Sequence, residues 1–418
     1  HTVNSPDLID VYKLTINKQN ENQYWFEGYW KDMELRTADI KVKLLGLIPW
    51  KFRRTVKSSI HGPVLEFDHG SYAIRISSIK DLRFLEQWYR MGKAQNISEF
   101  KKAMKIHAIP MFNTGYADRD GNIYYVYNAK IPKRDPRYNW KKILPGESKR
   151  TLWYDYIPYD QLPQVYNPFE GFFQNCNSSP YLATGSKVDA SQALPDWTGI
   201  ETHQTNRALR SLETFGVDPS ISRSEFFNYK YDVRYSRESI IANVRKQYIE
   251  EISKKGIPKD LEEAISLIKN WDLSADSLNT NAALAILSLP NAFRIENLKY
   301  DCDSVTIKVR ESVKFLEKNF GRINVPMGRV FRLIRGKTDL PLSGGPGTLR
   351  AIYYKKSSKK YKAIAGDCYI QAIEWGPKNE FNAWSIHQYG SATKNKSSFH
   401  YDDQSKLFSK HKMKQIRP

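Results

Sequence analysis

Cysteine is nearly missing from this chain. Three residues in 418, Cys176, Cys302 and Cys368, form no Cys-x-x-Cys pair. An odd number cannot make a fully paired framework, so one disulfide is the most the sequence allows and a structural zinc is not expected. Also lacking is any apolar run near the roughly 18 residues of a membrane-spanning helix. There is no Gly-x-Ser-x-Gly elbow. Gly336-Lys337-Thr338 ends like a phosphate-binding loop, but Phe331 stands where the upstream glycine is required. Gly344-Gly345-Pro346-Gly347 is followed by no lysine. His400-Tyr401-Asp402-Asp403 has ligand-type residues but no second histidine at metal-site spacing.

Charge is abundant. Lys plus Arg number 65 against 45 Asp plus Glu, a net charge of +20, with aromatics at 13%. Nucleic-acid binding therefore has to be weighed. The basic residues are dispersed, and the densest run, Tyr354-Lys355-Lys356-Ser357-Ser358-Lys359-Lys360-Tyr361, reads as a hairpin tip. Without a zinc-finger spacing, an RNA-binding aromatic signature or a glycine-arginine tract, no nucleic-acid partner is expected. A basic surface facing anionic envelope polymers or lipid suits the same charge. Hydrophobic content of 40% and charged content of 26% describe a globular chain with a sizeable core. The first residue is His1 and a strand-like segment follows almost at once. This predicts that the sequence begins within a longer protein, any leader lying upstream.

Period-two alternation predicts strands over most of 11–75, including a hairpin around Glu27-Gly28 and a strand over 40–44. Leu82, Leu85, Trp88 and Met91 predict a helical stretch over 80–105. Asp118 to Asn122 resembles a shortened calcium loop without its downstream acidic ligand, and reads as a hairpin turn using Gly121. Residues 130–160 are basic, proline-rich and loop-like. From about 204 the periodicity turns helical, with Ala208, Leu209, Leu212 and Phe215 on one side of a first helix. Asp260 and Glu263 fit a capping box before Ala264, Ile265 and Ile268. After 322–326 strands return, and the order β, α, β predicts that the last strands complete the first sheet.

Residues 162–180, Leu-Pro-Gln-Val-Tyr-Asn-Pro-Phe-Glu-Gly-Phe-Phe-Gln-Asn-Cys-Asn-Ser-Ser-Pro, crowd amides among aromatics and prolines. One reading is a strand between turns whose asparagines satisfy loop backbone. The other is an asparagine held so that its N–H donors meet one fixed point, as an oxyanion site needs. Asp7 and Asp10, with a carbonyl between them, suit either a hard cation or a solvated turn.

Seven stretches, taken together and in order, resemble the penicillin acylase family of N-terminal-nucleophile amidohydrolases. They are 1–4 with 7–12, 54–64, 117–122, 165–180, 205–210, 344–350, and 366–367 with 400–404. The forms Thr-Asn-Arg-Ala-Leu-Arg and Asn-Cys-Asn-Ser-Ser-Pro look nearest to the acyl-homoserine-lactone and aculeacin acylase branch. The resemblance implies an α+β fold, the αββα four-layer sandwich, incomplete in this chain. Its implied divisions are 1–11 as the start of the core sheet and oxyanion strand, 12–65 as a small β module, 66–204 as αββα core, 205–320 as a helical lobe and 321–418 as a return to the core.

The implied chemistry is hydrolysis of an N-acyl amide by an N-terminal serine whose own α-amino group is the base. An α-amino group titrates near 7.7–8.0, so much of it is neutral at working pH. By motif position the Val3 N–H and the Asn177 amide are the expected oxyanion donors, and Arg207 borders the site. Asp7, Ile9 and Asp10, more loosely Pro136 and Asp189, match calcium-binding positions of some members. No cofactor is implied for the chemistry itself. The serine belongs upstream of His1, so no residue here is the nucleophile, and the chain alone is expected to be inactive. Thr2 would need His1 removed and sits where the family has its oxyanion strand. The implied partners are a small N-acyl substrate and the small subunit and N-terminal part of the same self-cleaved precursor. The implied setting is bacterial, periplasmic or secreted. The alternative is a non-catalytic binding or scaffold module on the same fold.

Overall fold

The computed structural model describes residues 1–185, 194–290, 300–377 and 380–416. They divide into two compact units, each described separately. The first holds His1–Phe173, Ser179–Ala183 and residues 194–202; the second holds Gln174–Ser178, residues 184–185 and the described residues from His203 onward.

The first unit begins with strands β1 (Ile9–Leu14), β2 (Gln23–Phe26), β3 (Tyr29–Asp32), β4 (Glu34–Leu44), β5 (Ile48–Ser59), β6 (Gly62–Phe67) and β7 (Gly70–Ile76). Helices α1 (Phe84–Lys93) and α2 (Ile97–Met104) follow, then β8 (Met111–Ala117), β9 (Ile123–Ala129), β10 (Leu144–Pro145) and β11 (Gln164–Tyr166). The expected β2–β3 hairpin turns on Glu27 (φ 51°) and Gly28 (φ 88°), the two left-handed residues of a tight hairpin turn. A six-stranded sheet runs β10-β1-β7-β6-β5-β4, and a second runs β11-β9-β8. Gly62 opens β6 at φ 136°, where a Cβ would lie 2.1 Å from the Ile74 carbonyl oxygen. Only glycine allows β7 to approach so closely. One core forms around Tyr12, Leu14, Tyr24, Trp140 and Trp153. Another forms around Met104, Tyr124, Val126, Tyr127 and Ile131.

The expected single helical stretch over 80–105 is two helices. Asn96 breaks it, its side chain accepting the Glu99 N–H as an N-cap for α2. Leu82 and Leu85 are exposed, while Gln87 is fully buried. The Gln87 Oε1 accepts the N–H groups of Ala108 and Ile109, so a buried amide replaces the predicted apolar stripe as the anchor.

The second unit carries α3 (Asn206–Glu213), α4 (Arg223–Lys230), α5 (Ile240–Lys255), α6 (Glu262–Lys269), α7 (Ala282–Ser288), α8 (Cys302–Phe320) and α9 (Met327–Val330). Then come β12 (Phe331–Arg335), β13 (Thr338–Pro341), β14 (Ile352–Ser357), β15 (Lys360–Gly366), β16 (Tyr369–Trp375), β17 (Phe381–His387), α10 (Ser405–Ser409) and β18 (Lys414–Gln415). Its larger core packs Tyr248, Ile265, Ile268, Trp271, Leu284 and Val309 from α5 to α8 with Phe331. The predicted capping box at Asp260 is not used: α6 has no side-chain cap, and Asp260 instead accepts from Arg310 at 3.0 Å. The late strands pair with one another, as β13-β12-β15-β14 and β16-β17-β18, rather than completing the first sheet. Parallel β12–β15 pairing and the β14–β15 hairpin satisfy their backbone locally.

Candidate active site

Val3 lies in a segment stitched to β8 and β9. The Thr2 N–H donates to the Asn113 carbonyl at 3.0 Å, and the Asn113 Nδ2 donates to the Val3 carbonyl at 3.3 Å. Asn113 Oδ1 accepts the Tyr125 hydroxyl at 2.7 Å, which sets its amide orientation. Asn4 is buried: its Oδ1 accepts the Phe112 N–H at 2.9 Å and its Nδ2 donates to the Asn128 carbonyl at 3.1 Å. Phe112 adopts φ 135°, which a bulky residue rarely visits, and Asn4 captures its N–H in that conformation. The Val3 backbone is thus fixed from both sides while its side chain is exposed.

Asn177 does not sit on a strand. Only Gln164–Tyr166 of the 162–180 stretch pairs in a sheet, and the segment beyond is irregular to a short 3-10 turn at Pro180–Leu182. Asn177 itself is left-handed, φ 57°, a conformation asparagine tolerates. Its Oδ1 accepts from Arg207 Nη2 at 2.8 Å. That bond fixes which end of the amide is oxygen and therefore where the N–H donors lie. Arg207 is in the first turn of α3, which Thr205 caps by accepting the Ala208 N–H. The Thr205 hydroxyl also donates to the Cys176 carbonyl at 3.2 Å, one residue before Asn177. Asn206 ties the same turn down: its Nδ2 donates to the Gly347 carbonyl at 2.8 Å and its Oδ1 accepts the Ser236 N–H at 2.8 Å. The Ser211 hydroxyl donates to the Arg207 carbonyl at 2.8 Å and lies 3.7 Å from the Cys176 sulfur. Burial pushes the Cys176 thiol above its usual range, opposed by the Arg207 charge. A helix-surface ion pair suits Arg210, which binds Asp232 and Glu213, each at 2.7 Å. Ser178 Oγ, next to Asn177 in the chain, and Arg207 Nε are buried with no protein partner.

Asp7 and Asp10 come together, but around an arginine. Arg134, its side chain fully buried, donates from Nε to Asp10 Oδ2 at 3.0 Å and from Nη2 to Asp7 Oδ1 at 3.1 Å. Nη1 donates to the Trp197 carbonyl at 3.2 Å, and Trp153 Nε1 donates to Asp10 Oδ2 at 2.7 Å. Burial raises the Asp10 carboxyl, with the Arg134 charge and the Trp153 N–H opposing it. Calcium takes six to eight oxygens. Arg134 takes one oxygen of each carboxylate and leaves Asp10 Oδ1 buried without a protein partner, so the two carboxylates alone fall short of that number. Ile9 begins β1, pairing with Ile76; Pro136 is exposed in a turn; Asp189 lies outside the described residues. Among the described residues no group of three or more His, Cys, Asp or Glu side chains could hold a metal ion.

Sequence reasoning missed Arg134, hidden in the basic 130–160 stretch, and Glu201. Buried Glu201 accepts the Ser5 N–H and the Tyr127 hydroxyl. No local pattern marks either residue, since their partners are more than fifty positions away.

Comparison with known proteins matches the same frame. The family described as Penicillin amidase covers residues 1–417. Acyl-homoserine lactone acylase PvdQ of Pseudomonas fluorescens (strain Pf0-1) is 23% identical over 98% of the chain and 59% of its own length. Penicillin G acylase of Escherichia coli is 29% identical over 42% of the chain and 20% of its own length. The chain thus spans 59% of the first of these relatives. A thermostable penicillin G acylase from Alcaligenes faecalis superposes with a TM-score of 0.65 at 18% identity, covering all of this chain and 84% of that one. This likeness gives the α+β N-terminal-nucleophile hydrolase fold. By its match from end to end, the chain belongs to the penicillin amidase family.

Proposed function

We propose that the protein containing this chain hydrolyses the amide bond of an N-acyl compound, of acyl-homoserine lactone, β-lactam or lipopeptide type. The observation that carries this reading is the Arg207 hydrogen bond that orients the Asn177 amide. In the reaction, an N-terminal serine supplied by another part of the precursor adds to the substrate carbonyl while its α-amino group takes the proton. The carbonyl oxygen becomes an oxyanion. Asn177 donates an N–H to it, and the Val3 backbone N–H is the second donor of the reading. Collapse expels the amine, which takes the proton back, and leaves an acyl-enzyme. Water then repeats the addition, and the acid leaves. Each donor strengthens as charge develops, so it acts on the barrier rather than on substrate binding. The names of the similar acylases support the substrate class. The same reading makes the mature protein an exported bacterial heterodimer with no metal in its chemistry. Calcium at Asp7 and Asp10 would have to share those carboxylates with Arg134.

The test is a chromatographic panel of N-acyl substrates on the full-length protein. Release of amine and acid from at least one is expected, with Asn177→Ala losing most of that turnover at unchanged fold. Cleavage of none by a processed, folded protein would leave a binding or scaffold role instead.

A further inference from the structure

Strands β4 and β5 leave the sheet. β5 meets β6 only at Ser58–Pro63 and Ser59–Gly62, whereas β4 and β5 pair with each other from Glu34–Ser58 out to Leu44–Ile48. The outer part is a two-stranded arm, a form only marginally stable alone in water. Pairing register sorts its side chains. Leu44 with Ile48, Val42 with Trp50 and Ile40 with Phe52 share one face; Lys43 with Pro49, Lys41 with Lys51 and Asp39 with Arg53 share the other. The turn between them is apolar too: Leu45 is 93% and Leu47 83% exposed. Ile40, Val42, Leu44, Ile48 and Trp50 are also exposed. Water is a poor solvent for a tip of this composition, and contiguous apolar surface of this kind marks an interaction site.

Charge selects the partner. Residues 34–59 carry seven basic side chains and two acidic ones, in a chain of net charge +20. One of the acids, Asp39, is already paired with Lys51 and Arg53. Lys41 and Lys51 lie opposite each other about four residues behind the tip, or about 13 Å at the rise of a strand. An apolar end inserts roughly 5–10 Å into the headgroup and acyl boundary. Lysine stems can then lie along the apolar region with their ammonium groups among lipid phosphates, and Trp50 lies at the depth that indole favours. Association with a second copy through the sheet edge is opposed by the same residues. β4 is the edge strand, and Arg36, Lys41 and Lys43 along it would confront their own copies.

We propose that this hairpin arm docks the protein on an anionic lipid bilayer, tip first. The proposal is independent of what the protein hydrolyses. The test is flotation of the full-length protein with phosphatidylcholine vesicles, with and without phosphatidylglycerol. Binding to the anionic vesicles is expected, weakened at least tenfold by the double variant Leu45→Asp/Leu47→Asp and by high salt, with circular dichroism and melting midpoint unchanged. Lys41→Glu/Lys43→Glu should remove the preference for phosphatidylglycerol. Failure of the wild type to float, or equal flotation of the tip variant, overturns the proposal. So does a concentration-dependent dimer in analytical ultracentrifugation that the tip variant abolishes, which would assign the arm to a second copy.

Discussion

The guanidinium of Arg207 donates from Nη2 to the side-chain oxygen of Asn177 at 2.8 Å, thirty positions back in the chain. The bond couples the two side chains, and the proposed reaction turns that into a coupling experiment. In the full-length protein Asn177→Ala should lower kcat by about 10²–10³, the usual cost of one oxyanion donor. Arg207→Ala should lower kcat by roughly tenfold, leaving KM nearly unchanged. The double variant should fall well short of the product of the two losses. Steady-state kinetics on any cleaved substrate measures all three, and multiplicative losses would show that Arg207 acts elsewhere.

Arg134 is the fixed counter-charge for two carboxylates, one of them completely buried. Arg134→Met should destabilise the fold by about 3–5 kcal/mol in chemical denaturation, because it strands a charge away from water. Asp10→Asn in the same background should recover part of the loss. In the wild type a chelator should leave the melting midpoint where it is, since Arg134 already supplies the counter-charge to both carboxylates.

Acid should weaken the first unit through His61. Its ring is buried, stacks on Tyr12 at 4.2 Å and donates from Nε2 to the Gly146 carbonyl at 3.0 Å. Burial pushes its pKa down to about 4, the Gly146 carbonyl opposing and Arg75 reinforcing the shift. The folded value lies below the unfolded one, near 6.5, so the neutral ring favours folding. This contribution, about 3 kcal/mol, is complete above the unfolded value and is lost as pH falls from there through about 4. Urea midpoints for His61→Gln measured against pH should show a flatter profile across that window.

Thiol titration checks the cysteines. Cys176 and Cys302 are buried, Cys368 is exposed, and none is paired with another. A chromogenic disulfide reagent should modify one thiol rapidly in the native chain and three after denaturation. Slow reaction of Cys176 follows from burial and from a thiol pushed above its ordinary range.

Local chemistry made much of the fold legible. Glu27-Gly28 and Gly121 announced their turns because few residues take those backbone angles. Where partners are distant in sequence, the pattern misled. Leu82 and Leu85 looked like a core stripe, yet the buried anchor of α1 is Gln87, chosen by two N–H groups some twenty positions on. Around the first helix after 204, Ala208 is buried as the periodicity predicts, but Ser211 is the other buried residue while Leu209, Leu212 and Phe215 are only half-buried. Asn177 was reached through the family resemblance, and its contact with Arg207 is a fact of tertiary structure that no spacing encodes. Arg134 was illegible for the same reason: a basic residue in a basic loop gives no sign that two carboxylates far upstream will close on it.

The division of the chain has a practical consequence. Gln174–Ser178 belongs with the second unit, although the sequence on both sides of it includes parts of the first. Split-gene expression, inteins or protease nicking would naturally be aimed at the change of texture near residue 203. A cut there would put Asn177 on the fragment that lacks Arg207. Fragments meant to be reassembled should instead be divided before Gln174, so that the amide and the arginine that aims it are inherited together.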